Sequence, residues 1–274
     1  MKHDRITHGS LEYCLYRFGR SQSRFRGPRP DLRRPYLAFL GGTETFGRFV
    51  PQPFPQLLQA RLGTVCANFA NGNAGPGFFL EDPSVLLATG DARATVIAVM
   101  GAQNLSNRFY RVHPRRNDRV IATSGFLKTL FPGLDTGDIH FTGHLLETLS
   151  GLDAARFEIV VEELKLAWVA RMSALLERIR GRTVLLWAAA HPPPEPGDGV
   201  YRAPLAPAPR FVDQAMIDRI SPLVTQVVEY VASDQARAAG CKGMVFTPSE
   251  ARAAREMPGP AMHEEIANLL AGVL

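Results

Sequence analysis

Five short apolar runs, each closed by a glycine-rich or polar stretch, constrain this chain more than any other feature. They are Tyr36–Leu40 (YLAFL), Thr64–Phe69 (TVCANF), Thr95–Met100 (TVIAVM), Thr183–Ala189 (TVLLWAA) and Thr225–Val231 (TQVVEYV). Runs this short, rich in β-branched and aromatic residues, fit strands that are covered on both faces. Helical patterns separate them. Pro53–Leu62 carries proline in its opening turn and places Phe54, Leu57, Leu58 and Leu62 on one side. Helical material runs on to Thr89, and Asp153–Arg180 carries a stripe through Phe157, Val161, Leu164, Trp168 and Met172. Ile266–Leu274 is expected to close the chain as a helix. Strands that alternate with helices build parallel βαβ units.

These units predict a flavodoxin-like, three-layer α/β/α domain with a five-strand parallel sheet over residues 36–274. Residues 1–35 form an expected arm, rich in Arg, Ser, Gly and Pro, whose Tyr13, Tyr16, Phe18 and Phe25 give it reason to pack on the domain. His191–Arg210 holds seven prolines without periodicity and is expected to be a loop or lid. In open parallel sheets, ligands bind beyond the carboxyl ends of the strands near the point where strand order reverses. The loops after the strands are therefore where function is sought.

Composition narrows the classes. With 46% hydrophobic and 21% charged residues, the chain has the balance of a globular domain. No apolar run approaches the ~20 residues of a membrane span. No apolar stretch follows the charged start Met1-Lys2-His3-Asp4-Arg5, so no secretory leader is expected there. Cys14, Cys66 and Cys241 are scattered, which suits a reducing, cytoplasmic compartment. The net charge of +5 comes with two arginine clusters, one over Arg17–Arg34 and one over Arg108–Arg119. Arginine forks suit carboxylate, phosphate or sulfate, so an anion site competes with a solvated, salt-bridged face. No helix-turn-helix, zinc or RNP pattern accompanies the charge, so no nucleic-acid partner is expected.

The loops carry the chemistry. After the first run comes Gly41-Gly42-Thr43-Glu44-Thr45-Phe46-Gly47, after the second Asn68-Phe69-Ala70-Asn71-Gly72-Asn73-Ala74-Gly75, and after the third Gly101-Ala102-Gln103-Asn104. His263 sits in Pro260-Ala261-Met262-His263-Glu264, expected just before the closing helix. GGTETFGR lacks the Lys-Ser/Thr ending of a P-loop, which argues against an NTPase. His140 and His144 have i,i+4 spacing but no carboxylates beside them, so no metal is expected, nor any cofactor. His113 is a possible anion contact and His191 a weaker alternative base.

These four blocks, in this order, resemble those of the SGNH (GDSL-type) hydrolases, α/β enzymes that cleave esters and acyl groups. In GGTETFG, Gly41, Thr45 and Gly47 match the first block, and Thr43 stands where the nucleophilic serine would be. The second block puts the donor glycine at Asn73, or at Gly72 if the loop is one residue shorter. The third puts the oxyanion amide at Gln103, or at Asn104 after a one-residue shift. The last aligns His263 with the base, while Pro260 occupies the position of its acid partner. Glu256 or Glu44 could stand in for that acid. The whole chain also resembles an uncharacterised bacterial family with a degenerate SGNH-like core, on the stretches FRGP, LGGTETFGRFV, NAGP, AQNLSNRFYRVHPRRNDR and WVARM.

The resemblance implies a hydrolase or acyl transferase acting on an ester or acylated carbohydrate, with Thr43 as nucleophile and His263 as base. The threonine methyl restricts χ1 and crowds attack, and loss of the acid weakens the base. Thr43 as a simple helix cap is the bland alternative. The alternative function is a non-catalytic protein that binds an anionic (phosphorylated, sulfated or carboxylated) ligand; a transferase of sulfated or phosphorylated donors is a third. The small-molecule or glycan-like partner would meet Arg108, Arg111, Arg115 and Arg116, which lie in an expected polar loop directly after the third strand. Internal pairing with Glu44, Glu81 or Asp82 is the structural explanation of the same arginines.

Overall fold

The structure is a computed structural model that describes residues 11–197 and 208–274. The first ten residues of the expected arm and residues 198–207 of the expected lid lie outside the described residues. In chain order the strands are β1 (Tyr16–Arg17), β2 (Arg24–Phe25), β3 (Tyr36–Leu40), β4 (Val65–Asn68), β5 (Ala94–Ala98), β6 (Tyr110–His113), β7 (Arg116–Thr123), β8 (Thr183–Ala189) and β9 (Gln226–Val231). The helices are α1 (Thr43–Phe46), α2 (Phe54–Leu62), α3 (Pro76–Leu80), α4 (Pro83–Asp91), α5 (Gly125–Leu130) and α6 (Thr142–Leu152). They continue with α7 (Ala154–Arg178), α8 (Gln214–Ile220), α9 (Asp234–Ala239), α10 (Ala251–Arg255) and α11 (Pro260–Ala271).

The main sheet has five parallel strands in the order β4-β3-β5-β8-β9, the flavodoxin-like order 2-1-3-4-5. All five sequence runs appear in it, each within a residue or two of its expected limits. The chain leaves β3 in one direction to make β4 and then crosses back to β5, so the topological switch lies between β3 and β5.

Alternation within the strands makes two cores. Leu37, Phe39, Val96 and Leu186 face α2 and α11, where Phe54, Leu58, Ile266 and Leu270 cover them. Ala38, Leu40, Ile97 and Leu185 face the other way, against the larger layer that includes α3, α4, α7 and α8. The 25-residue α7 is the backbone of that layer. Asp153 caps its start by accepting from the Arg156 N–H at 3.0 Å, and its buried Trp168 donates from Nε1 to the Met100 carbonyl at 2.7 Å.

The described part of the arm is built into this layer. Phe25 is fully buried, edge-on to Phe69, and Phe18 packs on the same ring. Arg26 is buried too, and its guanidinium donates to the carbonyls of Phe46, Gly47, Val50 and Pro51. Burial lowers its pKa to about 10, and the four carbonyls make it a clamp on the chain that leaves α1. Arg33, from the same cluster, pairs with Asp31 at 2.8 Å on the surface.

Three expectations are corrected. The polar stretch after β5 is not a plain loop: β6 and β7 form an antiparallel hairpin, with Tyr110 and Val112 buried and Arg111 exposed in strand alternation. His140 precedes α6 while His144 lies within it, so the pair does not share a helix face. The closing helix begins at Pro260, six residues earlier than its apolar pattern suggested, because proline fits an opening turn. This puts His263 inside the helix.

Candidate functional site

The loops after β3 and β5 meet at the switch point, and the loop after β4 packs beside them. Gly75 permits that packing, since a Cβ there would collide with the Asn104 carbonyl oxygen. Asn104 then locks the two loops, donating from Nδ2 to the Asn73 carbonyl at 3.0 Å and accepting from the Thr142 hydroxyl at 2.7 Å. Asn68 ties the first and second loops in the same way, donating to the Thr45 carbonyl at 3.0 Å.

Between these loops lies an inner cavity of about 70 Å³, lined by Thr43, Glu44, Asn73, Gln103, Arg210 and His263 among others. That volume holds a small chemical group or a few waters. It opens into an outer cavity of about 690 Å³, which shares Thr43, Glu44, Asn73, Gln103 and Arg210 and adds the rim of α10. Sequence positions as distant as 43 and 263 are thus brought to one space.

Thr43 begins α1, but the N-cap is Gly42, so the threonine hydroxyl is not the helix cap. Its Oγ1 accepts the Asn73 N–H at 2.9 Å and points its own proton toward Asn73 Oδ1 at a long 3.3 Å. A bond that long holds a hydroxyl proton weakly. Asn73 reaches this position in the left-handed region, at φ 57°, which asparagine tolerates. Of the paired alternatives in the second loop, Asn73 lines the cavity and Gly72 does not. Both third-loop alternatives line it, with different roles. Asn104 is committed to Asn73 and Thr142, whereas the buried Oε1 of Gln103 has no partner.

His263 is 1% exposed, and its ring stacks on Phe54. Its Nδ1 accepts the backbone N–H of Phe54 at 3.1 Å. A nitrogen that accepts cannot carry the ring proton, so the neutral imidazole is protonated at Nε2, and that buried atom has no partner. Burial, with Arg26 adding repulsion, lowers its pKa to about 3. The ring is therefore a neutral donor at the cavity. Glu44 carries the opposite anomaly: burial raises its carboxyl pKa, against the opposing pull of Arg210. The hydroxyl of Thr45 is a further buried polar atom on this wall without a partner.

The hairpin arginines lie elsewhere. Arg108 donates to Glu163 on α7 at 2.6 Å, and Arg116 pairs with Asp118 at 3.2 Å. Arg111 and Arg115 are exposed, and none of the four lines either cavity. The arginines at the cavities are Arg210, Arg237, Arg252 and Arg255. These arginines had no sequence signal as site residues, and Glu44 was expected there only as a stand-in for the missing acid or as a partner of the hairpin arginines. Of the other histidines, His113 accepts the Arg115 N–H, and His191 packs against Trp187 outside both cavities. Among the described residues, no group of three His, Cys, Asp or Glu side chains is placed to hold a metal ion, and no helix is long and apolar enough to cross a membrane.

Fold and site together define a flavodoxin-like α/β protein with a polar cleft at its topological switch. The chain belongs to a family described as a domain of unknown function (DUF6473), whose model matches residues 1–274. No curated protein matches it. Among solved structures it is similar to a protein from Lactobacillus plantarum, at 16% identity and TM-score 0.39, over 88% of this chain and 96% of that one. It is also similar to an extracellular lipase from Streptomyces rimosus, at 13% identity and TM-score 0.45, over 87% and 98% of the two chains. A lipase from a goat rumen metagenome matches at 13% identity and TM-score 0.43, over 86% and 97%. Likeness this distant assigns neither residues nor a reaction.

Proposed function

We propose that the protein is an SGNH-like hydrolase or acyl transferase that acts on an ester or acylated carbohydrate at the inner cavity, with Thr43 as nucleophile. The observation that carries this reading is the convergence of the Thr43 hydroxyl, the half-buried Glu44 carboxyl and the unpartnered Nε2–H of His263 on one cavity at the switch point. The four sequence blocks that suggested the chemistry all contribute to its wall.

The roles follow from the protonation states. A ring with its proton on Nε2 and a pKa near 3 is a poor acceptor, so His263 serves as a donor toward the substrate oxygen. Glu44, whose raised pKa makes its carboxylate a stronger base than usual, takes the proton. Thr43 Oγ1 attacks the acyl carbon as its proton passes to Glu44. The alcohol departs with that proton, and water or an acceptor hydroxyl then removes the acyl group from Thr43. Gln103 and Asn73 position the ester, while Asn104 holds the loops.

Release of acetate or p-nitrophenol from short-chain esters tests this. Thr43→Ala and Glu44→Gln should each abolish turnover, and His263→Asn should lower kcat by about 10²–10³, the range for loss of one oxyanion donor. Turnover that survives Thr43→Ala would end the nucleophile assignment. The second reading, a non-catalytic cleft for an anionic ligand, is favoured by the same inert tautomer of His263 and by the arginines at the outer cavity. It predicts no turnover, with thermal stabilisation by phosphate or sulfate compounds.

A further inference from the structure

The outer cavity has an unbalanced charge. Three carboxylates reach it, and two are engaged: Asp118 accepts from Arg116 and from Asn73 Nδ2, and Glu44 interacts with Arg210. Glu256 lies on the rim. Of the four arginines, Arg237 is held by Asp234 and by the carbonyls of Ala190 and Ala232, and Arg210 has its own partners. Arg252 and Arg255 have no ion pair or side-chain hydrogen bond among the described residues, yet both line the cavity. They lie three apart on α10, which sets them side by side on one helix face. With Glu256 the one carboxylate beside them, the two guanidiniums leave a net positive charge on this rim, and their forks match the oxygens of phosphate or sulfate.

We infer that Arg252 and Arg255 form an oxyanion subsite, so that the substrate is an acyl ester carrying a phosphate or sulfate group remote from its acyl carbon. The group would sit at the α10 rim while the ester reaches the inner cavity past Arg210. Alanines 188–190 and Met262 supply apolar lining to the same cavity, suited to the carbon frame of such a molecule. The reading of Thr43 as the acyl-accepting residue supplies what is turned over. The charge imbalance supplies where the anion sits.

The test compares an O-acetylated hexose with the same molecule bearing phosphate or, separately, sulfate on another carbon. Acetate release is measured in the unmodified protein, in Arg252→Gln/Arg255→Gln, and in the hairpin control Arg111→Gln/Arg115→Gln. Calorimetric titration of hexose phosphate and hexose sulfate into each protein runs alongside. The expected result is a charged-over-neutral ratio of kcat/KM of about tenfold or more that falls toward one in the α10 variant, through KM, and weakens with salt. A ratio near one in the unmodified protein, or one lost in the hairpin variant and kept in the α10 variant, overturns the inference. If no ester is cleaved, the titration decides. Anion binding that disappears in the α10 variant upholds the subsite while the acyl-transfer reading falls, and no binding, or binding that the α10 variant keeps, overturns the subsite.

Discussion

His263 and Glu44 show how burial, the largest influence on both, can shift two side chains of one cavity in opposite directions. For His263 the folded pKa, about 3, lies below the ordinary 6.5, so the unfolded chain binds the extra proton between those values. Stability from the neutral ring is complete above pH ~6.5 and is lost as pH falls toward 3, by about 1.4 kcal/mol per unit. In His263→Asn, the stability difference from the unmodified protein should be flat above pH 7 and tilt by that slope below 6. Urea unfolding across the range checks this, and a flat difference down to pH 4 would contradict the neutral buried ring. Glu44 has the reverse sign. Its folded pKa is raised, so its full stability exists below the ordinary 4.5 and declines as pH rises through the folded value. Glu44→Gln should therefore raise the melting temperature at pH 8 and change it little at pH 4, even as it removes activity. A residue that costs stability in this way is what a functional site, rather than a core, retains.

Among the elements, the β6–β7 hairpin departs most from its sequence appearance. Its arginines suggested ligand contacts, but the hairpin is anchored through other groups. Asn117, 3% exposed, accepts the Gly75 N–H at 2.9 Å and donates to the carbonyls of His113 and Pro114 at 3.0 and 3.1 Å. Asn117→Ala leaves the Gly75 N–H without its partner, and should cost about 1–3 kcal/mol in chemical unfolding. Because Gly75 belongs to the loop that carries Asn73, the same variant should slow ester turnover, while Arg111→Gln should leave stability within about 0.5 kcal/mol. Arg108→Gln is different: it removes the guanidinium from the buried Glu163, which keeps only the Arg108 backbone N–H, and should lower the melting temperature, which differential scanning fluorimetry resolves. Tyr110 and Val112 alternate with Arg111 in strand fashion, but the density of arginines made the stretch look like a loop. Only the fold shows that Arg108 pairs with Glu163 of α7.

At the scale of the whole molecule, the two layers differ in thickness, and the thin one holds the site's last residue. Helices α2 and α11 cover the Leu37 and Phe39 face by themselves, and Leu270 is fully buried between them. Leu270→Ala should lower the unfolding free energy by about 2–5 kcal/mol, as one cooperative transition that carries the helical and tertiary circular-dichroism signals together. A separate early transition would mean that the α11 layer unfolds on its own. The elements of this architecture were present in the sequence because strand and helix periodicity are local properties, set by side-chain spacing along a few turns. Tyr36–Leu40 and Thr183–Ala189 were legible to the residue, and glycines and polar side chains marked Thr43, Asn73 and Gln103 as positions just beyond strands, although Thr43 opens a one-turn helix where a loop was expected. Tertiary structure decided the rest. Whether His263 is base or donor depends on a backbone N–H contributed 209 positions away, at Phe54. Arg252 and Arg255 face the cleft because α10 comes to lie on a cavity whose other walls, at Thr43, Asn73 and Gln103, form far earlier in the chain. Partners, burial and pKa arise between segments that are distant in sequence, and spacing along the chain carries no record of them.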